Sequence, residues 1–379
     1  MRVLTLTPFY PTDGDDGAGC FIAEPIRALE KFDVESCVVA VRPYHRGKPT
    51  ANGRAPHARW IRFASIPGGI GLASAGAFLY ASIISKVQQL HSSEQFDLIH
   101  AHAALPCGHA AALLSQRLGI PFVVTVHGLD AYLQKQVPGL AGRWCERQAR
   151  SVYEAAECVI CISDLVAKQV KDGLTEVNTT VIYNGVDAEL FSSPDAECAH
   201  ASLLSVGNLI PIKGHEMLFR AFAAARRNKR DLRCDIIGDG PEQSHLEHLA
   251  AELGISDCVR FLGRQSRAQV ATALRQCTLF VLPSRYEGLG CVYLEAMSAQ
   301  RPAIACHGQG IDEIIRHGEN GWLVEAGNWQ KLADSITHLL DATELRQQIG
   351  LAARQTILQR FTLEHQAAAL AQVYRGCAA

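Results

Sequence analysis

The sequence carries 379 residues, more than one hydrophobic core of ordinary size accommodates, so two domains of similar length are expected. Charge is nearly balanced, 36 Lys and Arg against 38 Asp and Glu for a net −2, which excludes the bulk attraction of a nucleic-acid-binding chain. A hydrophobic share of 48% with 20% charged residues describes a packed globular protein, and no run of 18 uninterrupted apolar residues offers a membrane span.

Residues 2–7 read as a buried strand, 8–19 as a loop (PFYPTDGDDGAG) and 20–31 as a helix, the opening of a nucleotide-binding α/β unit. The dinucleotide fingerprint is a poor match. Gly17-Ala18-Gly19 lacks the third glycine, and the second strand, 37–41, ends at Arg42 rather than at an acid. Asp13, Asp15 and Asp16 invite a magnesium reading, which a solvated loop explains equally well. The apolar opening at Val3–Leu6 is too short for a signal peptide. From 36 to 93 there is no acidic residue, against seven Lys or Arg, six of them between Arg42 and Arg62. With an apolar helix expected at 70–90, this segment suits an anionic membrane surface or an anionic acceptor. A solvated basic loop beside a core helix accounts for it equally.

Strands at 97–102 and 121–126 flank a helix at 105–118. The second strand ends in His127-Gly128-Leu129-Asp130, and open parallel sheets bind ligands beyond the carboxyl ends of their strands. His127 is therefore a candidate site residue. A helix at 143–156, a strand at 158–162, a helix at 164–171 capped by Ser163 and a strand at 180–183 complete the first half. It closes on Asn184-Gly185-Val186-Asp187, and 192–200 is a polar linker. The second half repeats the alternation. Strands are expected at 202–206, 232–238, 258–262, 278–282, 302–305 and 320–324, and helices at 215–226, 241–253, 269–276, 291–299, 329–341, 343–359 and 361–374. Alternation in both halves predicts an α/β protein of two doubly wound sheets.

Thirteen cysteines raise a metal or disulfide reading that their positions answer. Cys37, Cys158, Cys161, Cys234, Cys258 and Cys277 lie in or beside strand-like apolar runs, where a thiol packs as a small hydrophobe. Cys158 and Cys161 have CxxC spacing, yet on a strand they point to opposite faces. Free thiols in a reducing cytosol are expected.

The richest stretch is LPSRYEGLGCVYLEAMSAQRPAIA, residues 282–305. A buried strand stops at Pro283-Ser284, a glycine-bearing turn carries Glu287, and Glu295 follows eight positions later inside a helix. The amides of Gly288, Leu289 and Gly290 lie between the two carboxylates at a helix N-terminus, a ready anion site. Hydroxyl-seeking acids around bare amides suit a nucleotide-sugar. This Glu-(seven residues)-Glu pattern after Pro-Ser resembles the signature of the retaining glycosyltransferases of family 4. Nearly the whole chain shares the likeness, most strongly from Gly207 to Glu313.

The resemblance implies a GT-B fold, two Rossmann-like doubly wound domains facing across a cleft. It divides the chain into an acceptor-side domain (1–187), a linker (188–200), a nucleotide-sugar domain (201–360) and a C-terminal helix crossing back (361–379). It implies that His127 and Glu287 orient the transferred sugar, that Glu295 takes the ribose hydroxyls, and that Lys213 with the amides of Gly288 to Gly290 holds the diphosphate. Gly207 and Asn208 flank the donor, Gly263 marks the base-binding backbone, and Gly17 and Gly19 belong to a loop closing over phosphates and acceptor. The family's arginine is replaced by Asn208, so donor affinity should rest more on Lys213, on helix amides or on another cation such as Arg285. Gln309 and Asp312 depart from the family's Gly-Gly-x-x-Glu loop. No metal and no cofactor is implied, the nucleotide-sugar being a co-substrate.

The expected reaction moves a sugar from a UDP- or GDP-sugar to a hydroxyl with retention. The VGNLIPIKGH and HGLDAYL segments look like enzymes of bacterial surface-polysaccharide synthesis, which implies a lipid-linked or growing glycan acceptor. The expected place is cytoplasmic, either free or peripheral at the inner membrane face, with no nucleic-acid partner. Three other readings stand beside it: an epimerase of the same fold, a non-catalytic nucleotide-sugar binder, and, least of all, a nicotinamide-linked oxidoreductase.

Overall fold

The structure is a computed structural model that describes the chain apart from residues 13–14, 48–57, 132–136, 173, 175, 193–200 and 379. Asp13, Lys48, Arg54 and most of the expected linker thus lie outside the described residues. The chain divides into two compact units, Met1–Asn184 with Glu364–Ala379, and Gly185–Leu363. The break falls before Gly185 rather than after Asp187. Val186 donates its amide to Phe361 (3.0 Å) and accepts from Leu363 (3.2 Å), and Phe191 is wholly buried in the second unit.

The first unit holds strands β1 (Arg2–Thr7), β2 (Glu35–Pro43), β3 (Arg59–Phe63), β4 (Leu98–His102), β5 (Phe122–Val126), β6 (Cys158–Cys161) and β7 (Thr179–Val181). They form one sheet in the order β3-β2-β1-β4-β5-β6-β7, every pair parallel. Val3, Leu4, Ile99, Val123 and Val124 are fully buried, as strands covered on both faces require. Helices α1 (Cys20–Leu29), α2 (Gly69–Glu94), α3 (His109–Leu118), α4 (Gly139–Ala155) and α5 (Asp164–Lys171) connect them. Ser163 caps α5 by accepting from the Val166 amide at 3.2 Å.

Two sequence expectations change here. β3 lies inside the segment read as a basic loop, and two of its arginines are engaged within the unit. Arg59 pairs with Glu94 at 3.4 Å, and Arg62 donates to the Tyr44 carbonyl (2.7 Å) while stacking over that ring. The outward face of α2 carries Ala77, Phe78, Ala81, Ser82, Ser85, Lys86 and Gln89, a small and weakly charged surface. α3 begins at His109 rather than 105, because Leu105 precedes Pro106 and takes an extended conformation (φ −125°, ψ 135°).

The second unit holds β8 (Ser202–Val206), β9 (Arg233–Ile237), β10 (Val259–Phe261), β11 (Leu279–Val281), β12 (Ala303–Cys306) and β13 (Trp322–Val324). These form a parallel sheet in the order β10-β9-β8-β11-β12-β13. Its helices are α6 (His215–Arg226), α7 (Gln243–Glu252), α8 (Arg267–Gln276), α9 (Cys291–Ser298), α10 (Trp329–Asp341) and α11 (Thr343–Arg360). Phe219, Phe222, Leu279, Val281, Ile304 and Ile336 are fully buried in its core. α7 starts two residues after Pro241, and α8 starts two residues earlier than expected because Ser266 and Gln269 close a capping box. Helix α12 (Leu363–Ala378) returns to the first unit, where Tyr374 is buried.

Every cysteine among the described residues is a free thiol. Burial pushes the Cys158 thiol up to about 11 and the Cys161 thiol up to about 12. No helix among the described residues is long and apolar enough to cross a membrane.

Candidate functional site

In each sheet the strand order reverses at one point, β1 beside β4 and β8 beside β11, and ligands of such sheets bind beyond the carboxyl ends of the strands there. In the second unit two loops leave that point. One follows β8 from Gly207 to Gly214; the other follows β11 from Leu282 to Gly290. They are stitched together, since Arg285 donates its amide to the Ile212 carbonyl at 2.7 Å. Gly214 (φ +74°) permits the close approach: a Cβ there would lie 2.1 Å from the Pro283 carbonyl oxygen.

Lys213 comes from the first loop. Its stem passes over Gly207, where a built Cβ would lie 3.7 Å from Lys213 Cδ. Its Nζ donates to Glu287 Oε1 at 2.5 Å, and Ser284 Oγ donates to the same oxygen at 3.0 Å. The two charged side chains are only 20% and 11% exposed. Asn208 is exposed, and its side chain has no hydrogen-bond partner among the described residues. Gly263, at the end of β10, accepts from the Gly238 amide at 2.9 Å.

The backbone around Glu287 is pinned by Gln309, which is 6% exposed. The Glu287 amide donates to Gln309 Oε1 at 2.8 Å, and Gln309 Nε2 donates to the Arg285 carbonyl at 2.9 Å. The Gly310 amide donates to the Glu287 carbonyl at 3.0 Å. A Cβ at Gly310 would lie 1.8 Å from the Gly288 oxygen. A glycine at position 309 could not make the bridge, which explains that departure from the family loop. Asp312 likewise accepts from the Gly308 amide at 2.8 Å. Gly290 (φ +80°) then opens α9, which has no side-chain cap, and the amides of Leu289 and Gly290 find no acceptor among the described residues. An uncapped helix start beside a lysine is chemically an oxyanion site.

The two glutamates do not share a partner. Glu295, 5% exposed in α9, forms an ion pair with Arg267 at the first position of α8. That guanidinium also lies 4.7 Å over the Phe191 ring. Sequence reasoning missed Arg267. Only the Ser-Arg-Ala-Gln capping box, which starts α8 at that residue, marked the place.

In the first unit, His102 ends β4 and His127 follows β5. Their rings stack at 5.3 Å, and His102 Nδ1 lies 3.0 Å from His127 Nε2 in a hydrogen bond. Phe21 of α1 meets His127 edge-on at 5.0 Å. His100, two residues before His102 on the same strand face, bonds Tyr374 Oη and Thr125 Oγ1 at 2.7 Å each. Burial lowers all three histidines: His127 to about 4, His100 to about 3, His102 well below its usual range. All are neutral at pH 7. His127 Nδ1 is buried with no partner among the described residues. A cavity of about 20 Å³ adjoins these rings, room for a single water. Asp130 takes the His127 amide on both oxygens (2.8 and 3.1 Å), and burial raises its carboxyl to about 7 against the pull of those amides.

Gly19 (φ +77°) opens α1 without a side-chain cap, and a Cβ there would strike the backbone of Phe9 and Tyr10 at 2.6 Å. Gly17 carries no such constraint: its nearest contact would be Asp15 Oδ1 at 3.6 Å. Asp15 is engaged locally, accepting from the Ala18 amide at 2.9 Å.

Comparison with known proteins agrees with this architecture. The model of the glycosyl transferases group 1 matches residues 194–356, and that of Glycosyltransferase Family 4 matches 16–190. A protein of Methanocaldococcus jannaschii described as an uncharacterized glycosyltransferase is 34% identical over 92% of this chain and 91% of its own. Sucrose-phosphate synthase from Thermosynechococcus elongatus superposes with a TM-score of 0.82 at 21% identity, over 99% of each chain. HepE of Anabaena, solved in complex with UDP-glucose, gives 0.75 at 22% identity over 99% of this chain and 100% of its own. The chain belongs to the family 4, group 1 glycosyltransferases and has the GT-B fold.

Proposed function

We propose that the chain is a retaining hexosyltransferase, independent of metal, that moves a sugar from a UDP- or GDP-sugar to a hydroxyl of a lipid-linked or growing glycan acceptor in cell-surface polysaccharide synthesis. The observation that carries the donor half is the Lys213–Glu287 pair at the β8/β11 reversal, beside the open amides of Leu289 and Gly290. The complex of HepE with UDP-glucose supports a nucleotide-sugar donor. The acceptor half rests on the likeness of the 127–133 and 206–215 segments to surface-polysaccharide enzymes. Such an acceptor would bring the chain to the inner membrane face.

In this scheme the bond from the anomeric carbon to the diphosphate breaks, the acceptor oxygen takes its place on the same face, and the acceptor proton leaves with the diphosphate. Lys213 and the α9 amides offset the charge that builds on the leaving group. Glu287 accepts from sugar hydroxyls once Lys213 turns to the phosphates. Glu295 takes the ribose hydroxyls, held in place by Arg267. His127 meets the transferred sugar as a neutral imidazole.

The test is a panel of UDP-, GDP- and ADP-sugars with the purified protein, read by thermal shift, donor turnover with and without chelator, and the anomeric configuration of the product. One nucleotide should saturate, turnover should survive chelation, and Lys213→Ala should weaken that nucleotide by at least about tenfold. An inverted product or loss of turnover on chelation would overturn the mechanism. Altered sugar released without acceptor would mean an epimerase.

A further inference from the structure

Helix α4 of the first unit turns Gly142, Cys145, Ala149, Val152 and Tyr153 into the core. Its other side opens with large apolar groups left in solvent: Leu140 is 81% exposed and Trp144 42%. Leu140, Arg143, Trp144 and Arg147 are spaced i, i+3, i+4 and i+7, so the four side chains share one face of the helix. Both arginines are exposed, and neither has a hydrogen bond or an ion pair among the described residues. Arg150, off that face, is by contrast held by Glu146 at 2.9 Å. The next charge on the exposed face, Glu154, stands about 10 Å further along the axis than Arg147.

The first half of α4 therefore shows two unneutralised cations set around a leucine and a tryptophan. Helix α2 packs beside it, the Cys145 thiol lying against the Ala73 backbone. The loop whose backbone meets Gly71 carries Ile66, itself 55% exposed. Tryptophan settles at a membrane–water boundary because its ring is apolar and its N–H is not. An arginine beside it lays its stem along apolar surface and keeps the guanidinium at the level of phosphates. Charge complementarity selects the occupant: unpaired guanidiniums interleaved with apolar groups match anionic headgroups lying over acyl chains.

We propose that this face of α4 docks the first unit on an anionic lipid bilayer, with Leu140 and Trp144 in the headgroup boundary and Arg143 and Arg147 on lipid phosphates. The purpose of the contact rests on the reading of a lipid-linked acceptor, whose sugar end is held at such a surface. The docking itself is measured without donor or acceptor.

The experiment mixes the full chain with phosphatidylcholine vesicles, with and without added phosphatidylglycerol, and reads the sedimented fraction and the quenching of tryptophan by brominated acyl chains. Binding should need the anionic lipid and weaken as salt rises. Arg143→Ala with Arg147→Ala should lower the partition coefficient roughly twenty- to thirtyfold, at about fivefold per arginine. Trp144→Ser should lower it about tenfold. Brominated chains should quench the native protein and not Trp144→Phe, although Trp60, Trp322 and Trp329 remain. All these variants should keep the native melting temperature and UDP affinity, since the changed side chains are exposed. Absence of vesicle binding, equal binding to neutral vesicles, full binding by the double arginine variant, or quenching that persists in Trp144→Phe would overturn the proposal. So would a soluble anionic polysaccharide held through Arg143 and Arg147 in place of vesicles. A protein that binds vesicles through α4 yet transfers sugar only to soluble acceptors would instead overturn the lipid-linked acceptor and leave the docking face standing.

Discussion

Replacing Glu287 with Gln should move two measurements in opposite directions. In the resting protein the Lys213 ammonium is held by Glu287 at 2.5 Å, with the side chains 20% and 11% exposed. Pairs on open surface are worth about 0.2–1 kcal/mol, and breaking fully buried ones costs roughly 3–5. This half-screened pair falls between, at about 1.5–2 kcal/mol. A diphosphate that takes Lys213 must first release that attraction. Glu287→Gln removes it in advance, so UDP should bind about ten- to thirtyfold tighter. Sugar transfer should nevertheless fall strongly, because a hydrogen bond from a substrate hydroxyl to a charged acceptor, about 1.5–3 kcal/mol, is lost. Calorimetric titration of UDP and a turnover assay on the same preparation read both effects. The melting temperature should drop by only a few degrees, since Gln still accepts from Ser284. Weaker or unchanged UDP binding would show that Lys213 does not exchange between the two partners, and unchanged turnover would remove Glu287 from the chemistry.

Arg267→Ala should destabilise the second unit by roughly 3–5 kcal/mol, because Glu295 is left buried and unpaired, and Arg267→Ala with Glu295→Gln should recover most of it in a urea melt. No recovery would mean that Arg267 matters through Phe191 rather than through Glu295. Asn208→Arg should tighten UDP about tenfold by placing a cation where the exposed amide has no partner; an unchanged affinity would point to another path for the phosphates. Acid should destabilise the fold between pH 6.5 and about 4. His127 and His215 fall from 6.5 to about 4 on folding, and His100 to about 3, so the unfolded chain binds more protons in that window. Each withdraws about 1.4 kcal/mol per pH unit below 6.5. Asp130, raised to about 7, works the other way and offsets about one of the histidines across this window. A melting temperature flat from pH 7 to pH 5 would show that these imidazoles are not held neutral.

Much of the candidate site is legible in the sequence because its signals are local. Lys213, Glu287 and His127 each lie in a loop that follows a mostly apolar strand (SLLSV, LFV and FVVTV), and such a run followed by glycine, Pro-Ser or His-Gly is visible in one dimension. Arg267 and Gln309 were not legible in the same way. Arg267 lies 28 positions before Glu295, and Gln309 lies 22 after Glu287, so nothing in the spacing ties them. β3 was missed because its RWIRF run alternates charge with apolar groups inside a basic segment, which is how an edge strand is tolerated and also how a loop reads. The place of residues 185–187 is not legible in the sequence, since it depends on the hydrogen bonds of Val186 with Phe361 and Leu363.

By itself the sequence determined that two parallel α/β sheets form and which loops end at their ligand-binding edges, because burial on both faces writes itself into continuous apolar strands. Only tertiary structure decided which charges meet: Lys213 with Glu287, Arg267 with Glu295, His102 with His127. Each pairing depends on strand order across a sheet, and strand order leaves no trace in the spacing of residues along the chain.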